Sequence, residues 1–401
     1  MKHAPGPFAC ERIAMTNRSR SLSMVVGLML AAALTLSACG GSSSSSSSNT
    51  TVPEGFTDPS AAGAYGVGYQ TIQIVDTVRN RPLTVDVWYP IASGTTGTPA
   101  RYSLLPTAYI DSTTAIGNAP IATDGPFPLV IYSHGSGGLR FVSSFLTERL
   151  ASQGFVVAAA DHTGNTATDG ILGTSVTPDQ NEINRTGDIS FEIDSLLAKS
   201  AGTGDFLSGA IDPARIGITG HSYGGFTSFA SVGGMTNPLG SSKPDPRIKA
   251  VVALSPYTRD MSDAELAADK VPTLILVGTK DTTTPSATDS VRPFSLVTGR
   301  PLELVELINA GHQSFTDVCA YQKQLAKLPA VPAPVVNAIN VQAVEACPAE
   351  FMPIDRAHEV TNTLAVAFFQ TYVAGKPGYK NWLTVAWAAD QPDIKVQVKT
   401  K

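Results

Sequence analysis

The chain has 401 residues, 43% of them hydrophobic and 15% charged, with a formal net charge of −5. This is the composition of an ordinary globular protein with ample core, long enough for two average domains yet within the range of one open α/β domain. Basic residues form no cluster beyond the N-terminus, which excludes a nucleic-acid-binding class built on charge.

The first element is a leader. Arg18 and Arg20 precede an apolar run from Leu22 to Leu34, followed by Leu36-Ser37-Ala38-Cys39-Gly40. A basic start, a short apolar run and small residues before a cleavage point predict a signal peptide over 1–38. The run is shorter than the ~20 residues needed to span a bilayer. Met15 is an alternative start, since residues 1–14 add nothing a signal peptide needs. Leu-Ser-Ala-Cys resembles a bacterial lipobox, and that resemblance implies cleavage before Cys39 and a lipid on its sulfur. The bland alternative is plain secretion with Cys39 incidental. Ser42 to Ser48 is a homopolymer, and residues 39–63 as a whole are expected to form a flexible tether before a domain over 64–401. About two dozen flexible residues reach roughly 25–30 Å. Removing residues 1–38 takes away more basic than acidic side chains, so the remainder is more acidic than the whole.

Next, Tyr69–Ile74 and Leu83–Trp88 alternate apolar and polar residues around Asn80, which predicts an antiparallel hairpin. From Phe127 the pattern becomes continuous apolar runs: Pro128–Tyr132, Phe155–Ala160, Arg215–Thr219, Ala250–Leu254, Thr273–Val277 and Leu302–Leu307. Such runs suit strands buried on both faces, and sheets of that kind are mostly parallel. Between them Val142, Leu146 and Leu150 mark one helical face ended by Gly154. Val360, Leu364, Phe368 and Tyr372 do the same near the C-terminus. The expected fold is a doubly wound, mostly parallel central sheet with an antiparallel N-terminal hairpin and helices on both faces. Two connections are unusually long, Thr163–Ile183 and a lid-like insertion near 317–353, and long loops at strand ends are often functional.

The chemistry starts at Gly220-His221-Ser222-Tyr223-Gly224-Gly225, just after a predicted strand. A serine between glycines at a strand-to-helix turn is the nucleophile elbow of an α/β-hydrolase. Ser222 needs a base, oriented in turn by a carboxylate. The chain has six histidines. His3 lies in the leader, His134 opens a Gly-rich loop, His162 ends a strand, His221 abuts the serine and His358 begins a predicted helix. His312 follows the last parallel strand at a turn, which is the position for the base, the alternative being a hydrogen-bonded loop histidine. Asp281 follows Thr273–Val277 and is the candidate acid, its alternative a turn-forming residue. Asp188 and Asp194 fall within a predicted helix and are expected to face solvent or form structural pairs. For the oxyanion, one donor should be the Tyr223 N–H, and the second should come from the Gly-rich loop Ser133-His134-Gly135-Ser136-Gly137-Gly138. That loop lacks the Gly-Lys-Ser/Thr ending of a phosphate loop.

Pro128–Asp161 together with the elbow resembles the platelet-activating-factor acetylhydrolase and dienelactone-hydrolase-like group, α/β-hydrolases acting on esters. The resemblance covers roughly residues 65 to 375 and implies Ser222 as nucleophile, His312 as base, and Ser136 and Tyr223 as oxyanion donors. It departs at the acid, where Ser255 stands at the acetylhydrolase position and Asp281 comes one strand later, as in polyester- or cutinase-like hydrolases. The cysteine nucleophile of true dienelactone hydrolases is absent at 222.

Of four cysteines, Cys10 lies in the leader and Cys39 would be acylated, so Cys319 and Cys347 are expected to form a disulfide, the alternative being two buried thiols. The function expected is a serine carboxylic-ester hydrolase on the bacterial envelope, outer membrane or periplasmic face. A serine peptidase or amidase on the same fold is the alternative, and a non-catalytic envelope binding protein the alternative of another class. The expected partners are a small-molecule, lipid or polyester ester and, through the lipid, a membrane. No nucleic acid, cofactor or metal is expected, and the chain is read as a monomer.

Overall fold

The computed structural model describes residues 56–400 except 106, 107, 326 and 328–330. The leader, Cys39 and the serine run lie outside the described residues.

The strands, in chain order, are β1 (Gly66–Asp76), β2 (Arg81–Ile91), β3 (Pro99–Leu105), β4 (Ala108–Gly117), β5 (Phe127–Ser133), β6 (Val156–Ala160), β7 (Ile211–His221), β8 (Met235–Asn237), β9 (Gly240–Ser242), β10 (Ile248–Leu254), β11 (Thr273–Gly278), β12 (Leu302–Leu307) and β13 (Ile394–Lys399). All but the small β8–β9 hairpin join one sheet, in the order β13-β12-β11-β10-β7-β5-β6-β2-β1-β4-β3. The six strands from β12 to β6 run parallel. β2 pairs antiparallel with β6 and with β1, and β13 closes the other edge antiparallel to β12. The expected fold is therefore the observed one, extended by β3, β4 and β13. The expected hairpin is β1–β2, turning through Asn80 at φ 52°.

The continuous apolar runs are explained by what lies on each side. Along β5, Leu129 and Ile131 enter one core while Val130 and Tyr132 enter the other; β10 and β11 alternate in the same way. Side chains on a strand point alternately to opposite faces, so a strand covered on both sides needs an apolar residue at every position.

The helices are α1 (Ser144–Ser152), α2 (Ala167–Leu172), α3 (Pro178–Ala201), α4 (Tyr223–Gly233), α5 (Asp263–Ala268), α6 (Arg292–Leu296), α7 (Val318–Leu325), α8 (Ala333–Ala343) and α9 (Ile354–Tyr372), with a short one after them at Val385–Ala389. α1 and α9 bury Leu146, Leu150, Val360, Leu364 and Phe368 in one core, whereas α3 and α4 bury Ile189, Ile193, Phe226 and Phe229 in the other. Two expectations need correcting. The connection 163–183 holds α2, closed by a Thr166–Asp169 capping box, and the start of α3, whose Thr177 cap accepts from the Gln180 N–H. The tether expected to run to residue 63 ends earlier, because Phe56 packs edge-on against Tyr379 and Thr57 hydrogen-bonds Gln153 and the Tyr379 hydroxyl. Those contacts are made by residues distant in sequence, which a local composition reading cannot register.

Candidate active site

Ser222 stands between the end of β7 and the start of α4 with φ 58° and ψ −118°. This conformation is strained for a residue with a side chain, and it lifts the hydroxyl out of the turn. The flanking glycines make it sterically possible. A Cβ on Gly224 would sit 1.8 Å from the Ser133 carbonyl oxygen, and one on Gly220 2.3 Å from that of Gly224. The Ser222 N–H donates to Leu254 O at 2.9 Å, tying the elbow to the end of β10.

The loops after β11 and β12 supply the partners. Ser222 Oγ lies 2.9 Å from His312 Nε2, and His312 Nδ1 lies 2.9 Å from Asp281 Oδ2. Thr284 braces the acid: its N–H donates to Asp281 Oδ1 at 2.7 Å, and its Oγ1 lies 2.8 Å from Oδ2 and 3.0 Å from His312 Nδ1. Burial opposes ionisation of Asp281, but the hydrogen bonds from His312 and the Thr284 N–H outweigh it and hold this carboxyl below the usual range. His221 Nε2–H donates to the His312 carbonyl at 2.8 Å. Its burial, reinforced by the His312 ring, pushes it down to about 3, so it serves as a neutral strut. Ser255, at the acetylhydrolase acid position, offers its carbonyl to Thr284 Oγ1 at 3.1 Å, and its side chain adds to the groups that hold the Asp281 carboxyl down. The structure thus brings the three sequence-predicted residues into one hydrogen-bonded chain.

The loop after β5 closes on the same serine: a Cβ on Gly135 would lie 3.2 Å from Ser222 Cβ. Tyr223 opens α4, so its N–H is among the amides that a helix start leaves without an intrahelical partner. Ser136 lines the cavity above Ser222, and its Oγ accepts from Asn165 Nδ2 at 3.2 Å.

A family model described as platelet-activating factor acetylhydrolase, isoform II, matches residues 102–185. A bis(hydroxyethyl) terephthalate hydrolase of Streptomyces coelicolor is 31% identical over 194 residues, 48% of this chain and 52% of its own length. A cutinase of Thermobifida alba is 31% identical over 185 residues, 46% and 52% of the two chains. The chain therefore spans about half the length of these curated relatives. A ferulic acid esterase structure from Streptomyces cinnamoneus superposes with a TM-score of 0.60 at 24% identity, covering 84% of this chain and 98% of that one. The fold is that of the α/β-hydrolases.

On this fold a second serine, histidine and aspartate are linked in the same hydrogen-bonded succession. Ser133 Oγ lies 2.9 Å from His162 Nε2, and His162 Nδ1 lies 3.2 Å from Asp188 Oδ2. All three are fully buried, Asp188 is also paired with Arg81, and burial pushes His162 down to about 4. This set is structural. Asp188 is thus one of the structural pairs expected from the sequence, and exposed Asp194 pairs with Arg247.

Sequence reasoning missed Arg185. From inside α3 its guanidinium, buried to 0% exposure, donates to His134 O at 2.7 Å, Gly135 O at 3.1 Å and Asn165 Oδ1 at 2.6 Å. Burial lowers it to about 9. An arginine on a helix of mixed polarity carries no local signal that it will be swallowed behind the Gly-rich loop.

Above Ser222 opens a cavity of about 620 Å³, lined on its apolar side by Leu139, Val142, Val318, Tyr321, Ile339 and Val341. The last four come from the insertion after His312, where a disulfide joins Cys319 of α7 to Cys347 in the segment that follows α8, Cα atoms 5.5 Å apart. A neighbouring hollow of about 790 Å³ shares Ser136 and Pro334 and adds Tyr223, Tyr257 and Ile171. Both long connections therefore line the site. Side-chain donors of Asp281, His312 and Glu345 lie within 4.8 Å of one another. Both His312 nitrogens are committed, one to Asp281 and one to Ser222, so this trio does not fit a metal.

Proposed function

We propose that the protein is a serine hydrolase that cleaves carboxylic esters through an acyl-enzyme on Ser222. The observation that carries this reading is the unbroken chain Ser222–His312–Asp281, with both links at 2.9 Å, at the floor of an apolar-walled cavity. Ser222 Oγ attacks the ester carbonyl carbon as its proton passes to His312 Nε2, and the imidazolium formed is held by the Asp281 carboxylate. The carbonyl oxygen gains negative charge and is met by the N–H groups of Tyr223 and Ser136. His312 returns the proton to the leaving alcohol, and water then releases the acid by the same steps. The apolar wall favours an uncharged acyl group, and the cutinase and terephthalate-ester hydrolase relatives support an ester, including polyester fragments, as the substrate class.

A panel of p-nitrophenyl esters of increasing acyl length, each beside its anilide, tests the reading. Ester turnover should exceed anilide turnover by orders of magnitude and vanish in Ser222→Ala, a loss of roughly 10⁴-fold or more. Anilides turned over as fast as esters would favour the amidase reading, and a fully active Ser222→Ala would sink the mechanism. We also propose that Cys39 carries a lipid that tethers the domain to the bacterial envelope. Metabolic fatty-acid labelling should mark the wild type and not Cys39→Ser; labelling of both would overturn it.

A further inference from the structure

The insertion does more than wall the cavity, because the segment before Cys347 is laced onto both loops that carry the triad. The Glu345 carboxylate accepts from the Thr282 hydroxyl and, at 3.0 Å, from that of Thr283, the two residues after Asp281. The Glu345 carbonyl accepts from the Gln313 N–H at 3.3 Å, the residue after His312. The approach is close enough that a Cβ on Gly311 would sit 2.2 Å from that carbonyl oxygen. Further along, the Met352 N–H donates to Asn309 O at 2.8 Å, and Lys280 Nζ donates to Glu350 O. Glu345 is half-buried, and one of its oxygens lies within 4.8 Å of both a His312 nitrogen and an Asp281 oxygen.

We infer that Glu345 is a positioning residue of this site: its carboxylate, fixed by Thr282 and Thr283, stabilises the His312 imidazolium from a second side while its backbone holds the histidine loop in register. The inference rests on the reading of His312 as the general base. The groups that face the ring are few. Asp281 is already paired with it, His221 is neutral, and the Lys280 ammonium is turned onto the Glu350 carbonyl, so Glu345 is the second anion close enough to act on His312. Opposite charges at this separation in a partly solvated site interact appreciably, and that interaction is larger in the transition state, where the imidazole gains its proton.

Kinetics on p-nitrophenyl butyrate from pH 5 to 9 test this with Glu345→Gln, which keeps an acceptor oxygen for one threonine and offers an N–H to the other but removes the charge. At pH 8 kcat should fall roughly three- to thirtyfold with KM within about twofold. The acid limb of the profile should move to lower pH, because an imidazolium with one anion fewer gives up its proton more readily. The variant's deficit should therefore shrink at pH 5.5, and Glu345→Asp should restore part of the rate. A lower kcat with an unmoved acid limb, or a rate within twofold of wild type, overturns the inference. Should Glu345→Gln fail to fold, Thr282→Val, which keeps the charge but loosens it, must shift the limb in the same direction; no shift overturns the inference. Ser222→Ala run alongside separates the two readings. If it is inert while Glu345→Gln behaves as wild type, only the role of Glu345 fails; if it is active, the triad fails first.

Discussion

Two serine–histidine–aspartate sets lie near one another in this molecule, and accessibility rather than residue type separates them. Ser133, His162 and Asp188 are sealed in the interior, whereas Ser222 opens on a cavity. The buried set supports the other through Arg185, which spans Ser133, the His134 and Gly135 carbonyls and Asn165. Removing a buried donor leaves its acceptors unsatisfied, at roughly 1–3 kcal/mol each. Arg185→Met should therefore lower the melting temperature by several degrees. It should also cut ester kcat by about tenfold or more with little change in KM, since the loop it braces acts on the developing oxyanion. Melting curves and steady-state kinetics on the same preparation check this, and an unchanged kcat would mean that the loop holds its shape without the guanidinium. The Ser222 elbow was legible because Gly220 and Gly224 stand at fixed offsets from the serine. Arg185, Thr284 and Glu345 were not, because each acts on a residue far from it in sequence.

At the scale of elements, the insertion after β12 decides the shape of the cavity. The disulfide ties α7 to the segment after α8, beside a small cluster of Val318, Cys319, Ala343 and Ala346. Closing a loop with a sequence separation of 28 contributes about 3–4 kcal/mol in the chain-entropy model. Reduction should lower the melting temperature and weaken turnover of long-chain esters more than of acetate esters, because Val318, Ile339 and Val341 form the apolar wall. Equal losses across acyl lengths would show that the bridge stabilises without shaping the cavity. The pair itself followed from counting cysteines, but the strap between the catalytic loops emerged only once the segment was folded back on them.

Across the whole molecule, a sheet covered on both faces leaves little room for charge, and one exception gives a stability signature. Glu303 on β12 is buried, and burial pushes its carboxyl up to about 8. Below the unfolded value near 4.5 the group is protonated in both states and costs nothing. Between that value and about 8 only the unfolded chain ionises, so stability is lost as pH rises through this window. Glu303→Gln should remove that slope, melting close to wild type at pH 4 and higher by on the order of 5 °C at pH 8.5. A constant difference across the range would contradict it. The sequence by itself determined the layered sheet, the elbow and the order of serine, acid and histidine. Those features rest on local periodicity and on turns whose geometry a few adjacent residues dictate. It did not reveal β3, β4 and β13, whose half-polar strands pair at the edges of the sheet, or the docking of residues 56–63. Only the tertiary structure decided which Ser–His–Asp set faces a cavity, which carboxylates surround His312 and what shape the pocket takes. Burial and long-range hydrogen bonding belong to pairs of residues that no local pattern joins.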